Sequence, residues 1–147
     1  MSNPDETLDL RQFFPYRLSV LQQRVSRAIA QHYHDRFDLS RIEWRVMATL
    51  AMFDGIAAKD ICDFTQMAKM QVSRALTRMK KNELVVQQVN DSDHRTSRLS
   101  LTERGRSIYR QIVPMVKIEE LEILARLSEP ERKQLLNIMT KLEKALG

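Results

Sequence analysis

The sequence holds few of the residues that build tight turns, disulfides or metal sites. Its 147 residues include only one cysteine, three glycines and four prolines. A single cysteine excludes an intrachain disulfide and a cysteine-based zinc site, and it suits a reducing compartment. The scarcity of glycine disfavours turn-rich β-sandwiches, and neither glycine-rich phosphate-binding motif is present. These absences favour a mostly helical chain.

The sequence also lacks a long apolar run. No stretch approaches the roughly 18 consecutive apolar residues that a membrane helix requires. The first ten residues are acidic and have neither the basic nor the apolar region of a signal peptide. We therefore expect a cytoplasmic protein with no membrane partner, in which residues 1–10 form a disordered lead to one domain over 11–147.

Basic residues are concentrated in the middle of the chain. The net charge is +5, and residues 66–110 alone contain ten Lys/Arg against four Asp/Glu, a local charge of +6. The rest of the chain, with 14 basic and 15 acidic residues, is almost neutral. This distribution indicates one face that binds a polyanion, although a solvated basic surface would look the same by charge alone.

The spacing of apolar residues predicts the order of secondary structure elements. Steps of three and four indicate helices, and a β-branched or alternating pattern indicates strands. The predicted helices cover 11–37, 41–53, 57–63, 67–81, 103–125 and 129–146, and the predicted strands cover 84–89 and 97–101. We expect a kink or local break at Pro114. The order predicts a mainly α (α+β) protein with a winged helix–turn–helix over 41–101.

The 67–81 helix has two chemically different faces. Ala68, Val72, Ala75, Leu76 and Met79 share an arc of about 100° on a helical wheel. The opposite face carries guanidinium, amide and hydroxyl groups, which suit a DNA major groove because Arg can pair with guanine and Gln with adenine. An ordinary amphipathic surface helix is the alternative. The predicted DNA-contacting residues of this helix are Lys69, Met70, Gln71, Ser73, Arg74, Thr77 and Arg78.

The polar segment between the two strands forms the predicted wing tip. Arg95 at this tip would enter a minor groove, where narrow A·T-rich segments concentrate negative potential. Asp93 would hold the Arg95 guanidinium through a carboxylate pair. An exposed tip salt bridge with little energetic weight is the alternative.

These motifs resemble those of a known family. Asp93-x-Arg95 followed by Leu101-Thr102-x-x-Gly105 is similar to the wing signature of the multiple-antibiotic-resistance regulator (MarR) family, and residues 70–79 resemble its recognition helix. The resemblance implies a bacterial homodimeric repressor whose DNA affinity is lowered by a small ligand, often a phenolic or aromatic acid. The family usually has glycine after the recognition helix, where this chain has Asn82-Glu83. We expect Asn82 to supply the left-handed cap.

The terminal helices predict self-association. Apolar stripes on 11–37 and 103–146 exceed what a small winged domain can cover, so we expect them to be dimerisation helices. Two-fold symmetry would match a pseudo-palindromic operator in double-stranded DNA. An intramolecular helix bundle is the alternative.

Four residues suggest an effector site. Phe14, Tyr16 and Trp44 would form aromatic walls, and Arg17 would bind the anionic group of an aromatic acid. Simple packing at a dimer interface explains the same residues equally well.

The sequence offers little support for catalysis or for a cofactor. No Ser/His/Asp spacing or paired-carboxylate motif is present, so the protein is not expected to be an enzyme. His32 and His34 diverge on a helix and predict no metal site. Three alternatives stay open: a redox-sensing regulator that uses Cys62, a non-sensing architectural DNA binder, and a protein–protein module with a winged fold.

Overall fold

The described part of the chain forms six α-helices and one β-hairpin. The computed structural model describes the backbone of residues 6–90 and 93–147, and the side chains of these ranges except those of 90 and 93–96. After a short 3-10 turn at Leu10–Gln12, the elements follow in the predicted order. They are α1 (Phe14–Phe37), α2 (Arg41–Met52), α3 (Ala58–Thr65), α4 (Lys69–Lys81), β1 (Val85–Asn90), β2 (Asp93–Leu101), α5 (Glu103–Leu124) and α6 (Glu129–Leu146).

Polar caps fix the starts of three helices. Ser40 and Glu43 form a capping box before α2, with hydrogen bonds of 3.1 and 3.2 Å. Ser128 and Glu131 do the same before α6. The Thr102 hydroxyl accepts a bond from the Gly105 N–H at 3.0 Å and begins α5. Each cap satisfies helix N–H groups that have no partner within the helix, and this explains why these three predicted starts are confirmed.

The core lies between α2, α3, α4 and the hairpin. The strands β1 and β2 are antiparallel, and Val85 pairs with Leu101 and Gln87 with Leu99. Ile56, in the loop after α2, adds an isolated antiparallel bridge to Leu99. The predicted apolar face of α4 is confirmed for its four helical members, Val72, Ala75, Leu76 and Met79, all of which are buried. Ala68 differs because it is the N-cap of α4 and is exposed.

The end of α4 corrects the expectation for Asn82. Asn82 has an ordinary φ of −87°, and Glu83 is the residue in the left-handed region, with φ of 60°. The Glu83 N–H donates to Lys80 O at 3.1 Å, and the Leu84 N–H donates to Met79 O at 2.9 Å. This pair of bonds is a Schellman motif, which places the left-handed residue one position after the cap. Leu84 is thereby turned into the core.

The Leu101-Thr102-x-x-Gly105 segment joins the hairpin to α5 through close backbone contact. The Thr102 N–H donates to Leu84 O at 3.0 Å, and the Thr102 hydroxyl donates to Glu83 O at 2.6 Å. A Cβ atom at position 105 would lie 2.3 Å from Leu84 O. Gly105 is therefore required by the approach of α5 to the backbone that follows α4.

The terminal helices leave large apolar side chains uncovered. Helix α5 is continuous through Pro114, so no break occurs there. It packs against α1, and His32 Nε2 lies 3.3 Å from Glu119 Oε2 between them. Every residue of α6 except Arg132 is exposed, so the chain does not form the alternative intramolecular bundle with this helix. Among the described residues, no helix is long and apolar enough to span a lipid bilayer.

Candidate nucleic-acid interface

Helix α4 is held by its apolar face and presents its polar face to solvent. Contacts with α2, α3 and β1 cover the apolar side. The six predicted DNA-contacting residues from Lys69 to Thr77 are all exposed. Arg74 has no ion-pair partner among the side chains that the structure describes. The Thr77 hydroxyl donates to Ser73 O at 2.9 Å, so that its oxygen remains available as an acceptor.

Arg78 differs from the other predicted contacts because its guanidinium is already bound within the protein. Its Nη1 donates to Glu43 Oε1 at 2.6 Å and to Asp38 O at 3.0 Å. Its Nη2 donates to Asp38 Oδ2 at 2.7 Å. The hydrogen bond to Glu43 raises the pKa of Arg78 above its ordinary value. The helical wheel placed Arg78 on the polar face correctly, but it gave no sign that the side chain folds back onto the end of α1 and the start of α2.

The hairpin is anchored beside α4 by polar contacts. Arg98 Nη1 donates to Gly55 O at 2.8 Å, which ties β2 to the loop after α2. Lys80 Nζ donates to Gln87 Oε1 at 2.8 Å and links α4 to β1. Arg106 of α5 and Asp54 of the loop after α2 form an ion pair at 3.3 Å. The wing and the polar face of α4 therefore belong to one packed unit, the arrangement by which a winged helix–turn–helix offers a helix and a hairpin to DNA.

Comparison with known proteins identifies this unit. Residues 37–96 match the model of the MarR family. The match covers the winged helix–turn–helix, which is therefore similar to that of the MarR family of DNA-binding transcriptional regulators.

Individual regulators are similar to this chain in sequence or in fold. The chain is 26% identical to the transcriptional regulator HosA of Escherichia coli O111:H- over 125 residues, which cover 85% of this chain and 93% of HosA. Its fold is similar to that of a MarR/EmrR family regulator from Acinetobacter sp. ADP1, with a TM-score of 0.84, 21% identity, and 95% and 98% of the two chains covered. It is also similar to Bordetella bronchiseptica BpsR, whose DNA binding is regulated by 6-hydroxynicotinic acid, with a TM-score of 0.82, 19% identity, and 94% and 98% covered.

The predicted wing signature is described only in part. The backbone of Asp93 and Arg95 belongs to β2, so the strand begins four residues earlier than predicted. The side chains of both residues lie outside the described part of the structure, as do residues 91 and 92 entirely. The predicted contact between Asp93 and Arg95 and the role of Arg95 in DNA binding stay predictions.

The four predicted effector residues do not meet within one chain. Phe14, Tyr16 and Arg17 line an exposed groove of about 640 Å³ at the start of α1. Trp44 stacks instead on Tyr33, at 5.4 Å between ring centroids, near the other end of α1. Arg17 and Tyr33 are sixteen positions apart on α1, which corresponds to about 24 Å at 1.5 Å per residue. The expectation of one pocket with all four residues is therefore wrong for a single chain.

Trp44 is the centre of a three-ring stack. Tyr109 of α5 also stacks on Trp44, at 5.9 Å between ring centroids. The stack joins α1, α2 and α5 where the long helices meet the winged unit. Burial raises the pKa of the Tyr33 hydroxyl, while Arg41 and Arg45 act in the opposite direction. The sequence suggested Trp44 as a wall of a ligand site, but its ring packs instead against Tyr33 and Tyr109.

Cys62 is half-buried on α3. It lines a cleft of about 490 Å³ between α3, α4 and the hairpin, together with Lys59 and Lys69. Cys62 packs against the buried core, and no described contact distinguishes it from a small residue beside the core.

Proposed function

We propose that the protein is a homodimeric repressor that binds a pseudo-palindromic operator and releases it when a small aromatic acid binds. Residues 41–101 would contact DNA, and residues 11–37 and 103–146 would join the two copies. The observation that carries the proposal is the exposed polar face of α4 on a helix whose opposite face is fixed in the core.

Groups on α4 match the edges of bases in the major groove. Arg74 and Gln71 are both exposed and are the two side chains able to make bidentate contacts, to guanine and to adenine respectively. Ser73 offers a hydroxyl donor for a phosphate oxygen, Thr77 offers its hydroxyl oxygen as an acceptor for a base amino group, and Met70 offers an apolar surface for thymine methyl groups. Lys69 at the first turn supplies a positive charge for the backbone. Asp93 and Arg95 would add the minor-groove contact of the wing.

Uncovered apolar side chains support the homodimer. On α6, Leu135, Met139 and Leu142 lie on one side of the helix and are 37%, 48% and 41% exposed. Leu18 and Leu21 of α1 are more than half exposed. An amphipathic helix leaves such a stripe in water only at a cost of about 25 cal/mol per Å² of apolar area. A second copy that covers α1, α5 and α6 would remove this cost.

The groove at the start of α1 is the best candidate for the effector. Arg17 supplies a cation, and Phe14 and Tyr16 supply ring surfaces beside it. These groups suit an aromatic carboxylate, the ligand class that regulates the structurally similar BpsR. Because the groove lies on a proposed dimerisation helix, a ligand there can favour one separation of the two α4 helices over another. Coupling of about 1–3 kcal/mol would lower operator affinity about 5- to 150-fold.

Selection of DNA from a random library tests the operator proposal. The purified protein would be used to enrich duplexes from the library, and the enriched duplexes would be sequenced. We expect a pseudo-palindrome with half-sites about one helical turn apart. No enriched sequence, or a single half-site without a repeat, would contradict the proposal.

Calorimetric titration tests the effector proposal. Wild type, Arg17→Ala and Arg27→Ala would each be titrated with 6-hydroxynicotinic acid and with benzoic acid. Arg27 lies on the same helix but does not line the groove, so Arg27→Ala is the matched control. We expect Arg17→Ala alone to lose affinity. Equal affinities would exclude Arg17, and no binding by wild type would favour a non-sensing DNA binder.

A further inference from the structure

Three chain segments meet at the Arg78 guanidinium. Asp38 ends α1, Glu43 lies in the first turn of α2, and Arg78 lies in the last turn of α4. Four hydrogen bonds of 2.6–3.0 Å join Arg78 to the other two residues. We call this group the α1–α2–α4 corner.

Glu43 is the most constrained member of the corner. It is 3% exposed, and its carboxylate also accepts a hydrogen bond from the Ser40 N–H. Arg78 is the only cation in contact with this carboxylate among the described side chains. If Arg78 turned to a DNA base, the buried Glu43 carboxylate would lose its cation, and an unpaired buried charge is strongly unfavourable.

Asp38 gives the corner a fixed backbone shape. Its φ of 52° is left-handed, and its N–H donates to His34 O at 3.0 Å. Its carbonyl and carboxylate then both face Arg78. Asp38, the residue at which the chain leaves α1, is thus hydrogen-bonded directly to Arg78 of α4.

We propose that Arg78 is a positioning residue that sets the angle of α4 relative to α1, and that Arg74 rather than Arg78 is the arginine of α4 that reads a base. The proposal rests on the proposed function, because it assumes that α4 enters the major groove. Base contacts require hydrogen-bond distances, so a small tilt of α4 weakens the operator complex more than it weakens non-specific binding to phosphates. The corner therefore controls sequence specificity from a site that does not touch DNA.

The test compares binding to the selected operator with binding to a scrambled duplex of equal length. The specificity ratio is the dissociation constant for the scrambled duplex divided by that for the operator, both measured by fluorescence anisotropy. Glu43→Gln keeps the size of the side chain and an acceptor for Ser40 but removes the charge that holds Arg78. Asp38→Asn removes the other charge and keeps a residue that tolerates the left-handed conformation. Arg74→Ala serves as the direct-contact variant.

We expect Glu43→Gln to lower the specificity ratio about tenfold, within the range of coupling between contacting residues. Asp38→Asn should lower it less, because its carboxylate is exposed and its backbone carbonyl still accepts from Arg78. The double variant Arg78→Ala/Glu43→Gln should lose no more specificity than Arg78→Ala alone. Additive losses would mean that Arg78 and Glu43 act separately, and they would overturn the proposal.

A purely stabilising contact would give a different result. The free energy of unfolding would fall, but the specificity ratio would stay at the wild-type value at a temperature where the variants remain folded by circular dichroism. An unchanged ratio in both Glu43→Gln and Asp38→Asn therefore overturns the proposal. If Glu43→Gln does not fold, the ratio for Asp38→Asn decides.

The Arg74 variant separates this inference from the proposed function. If Arg74→Ala loses operator affinity while Glu43→Gln and Asp38→Asn keep full specificity, α4 reads DNA and the positioning role is wrong. If Arg74→Ala also binds the operator as wild type does, the use of α4 in DNA recognition is itself wrong.

Discussion

Replacing Glu83 with glycine should stabilise the protein. Glu83 holds a φ of 60° in the Schellman motif after α4. A left-handed conformation costs an L-residue with a Cβ atom about 1–2 kcal/mol, and glycine does not have this cost. The larger conformational freedom of glycine in the unfolded chain offsets about 0.4–1 kcal/mol of the gain. We therefore expect Glu83→Gly to raise the free energy of unfolding by about 0.5–1 kcal/mol.

Two control variants isolate the backbone effect. Glu83→Gln removes the carboxylate from the C-terminal end of α4 but keeps the Cβ atom, so it measures the charge contribution alone. Asn82→Gly adds glycine one residue earlier, where φ is −87° and nothing is gained. We expect Asn82→Gly to lower stability by about 0.5–1 kcal/mol, as glycine does where its freedom is not needed.

Urea denaturation followed by circular dichroism measures these differences. Protein concentration must be equal in all samples, because self-association would add to apparent stability. The same comparison by thermal melting should show an increase of about 1–4 °C for Glu83→Gly in a domain of this size. If Glu83→Gly is no more stable than Glu83→Gln, the left-handed strain assigned to position 83 is wrong.

Three further predictions concern α5, the dimer and the wing. Gly105→Ala should destabilise the protein by about 1–3 kcal/mol in urea denaturation, since its Cβ would collide with the backbone at Leu84, and wild-type stability would refute the close contact. Leu142→Glu should weaken dimerisation at least about tenfold in analytical ultracentrifugation, because it removes one buried leucine from the proposed interface. Lys144→Glu, on the opposite side of α6, should leave dimerisation unchanged. If the two variants behave equally, α6 is not part of the interface. Arg95→Ala should weaken operator binding in fluorescence anisotropy without a change in circular dichroism, and an unchanged dissociation constant at physiological salt would remove the wing from the mechanism.

Local signals in the sequence accounted for most of the fold. The helix starts predicted at 41 and 129 are confirmed, and the capping boxes at Ser40 and Ser128 fix them through hydrogen bonds between residues only three apart in the sequence. Val72, Ala75, Leu76 and Met79 of the predicted apolar arc are buried because helical periodicity places them on one face, whereas Ala68 at the N-cap is exposed. The left-handed residue was misplaced by one position, because Asn is the better left-handed residue in isolation, whereas the two backbone bonds of the Schellman motif decide which residue takes that conformation.

The candidate site depended more on contacts between distant residues. A helical wheel gives the direction of the Cα–Cβ bond and not the end of a long side chain. Arg78 therefore looked equivalent to Arg74, although its guanidinium lies against Glu43, 35 residues away. Sequence spacing relates Glu43 only to Ser40, three residues earlier, and not to Arg78. The effector residues show the same limit, since Trp44 is stacked on two tyrosines that its own sequence neighbourhood does not reveal.

The most direct test of the account is the effect of Arg74→Ala on operator binding. Lys133→Ala is the matched control, since it removes the same charge from an exposed position on α6. In fluorescence anisotropy at one salt concentration, Arg74→Ala should weaken operator binding by about 1–3 kcal/mol and relax the base preference at one position. Lys133→Ala should bind as wild type does. Equal operator affinities for wild type and Arg74→Ala would contradict the claim that the polar face of α4 reads DNA.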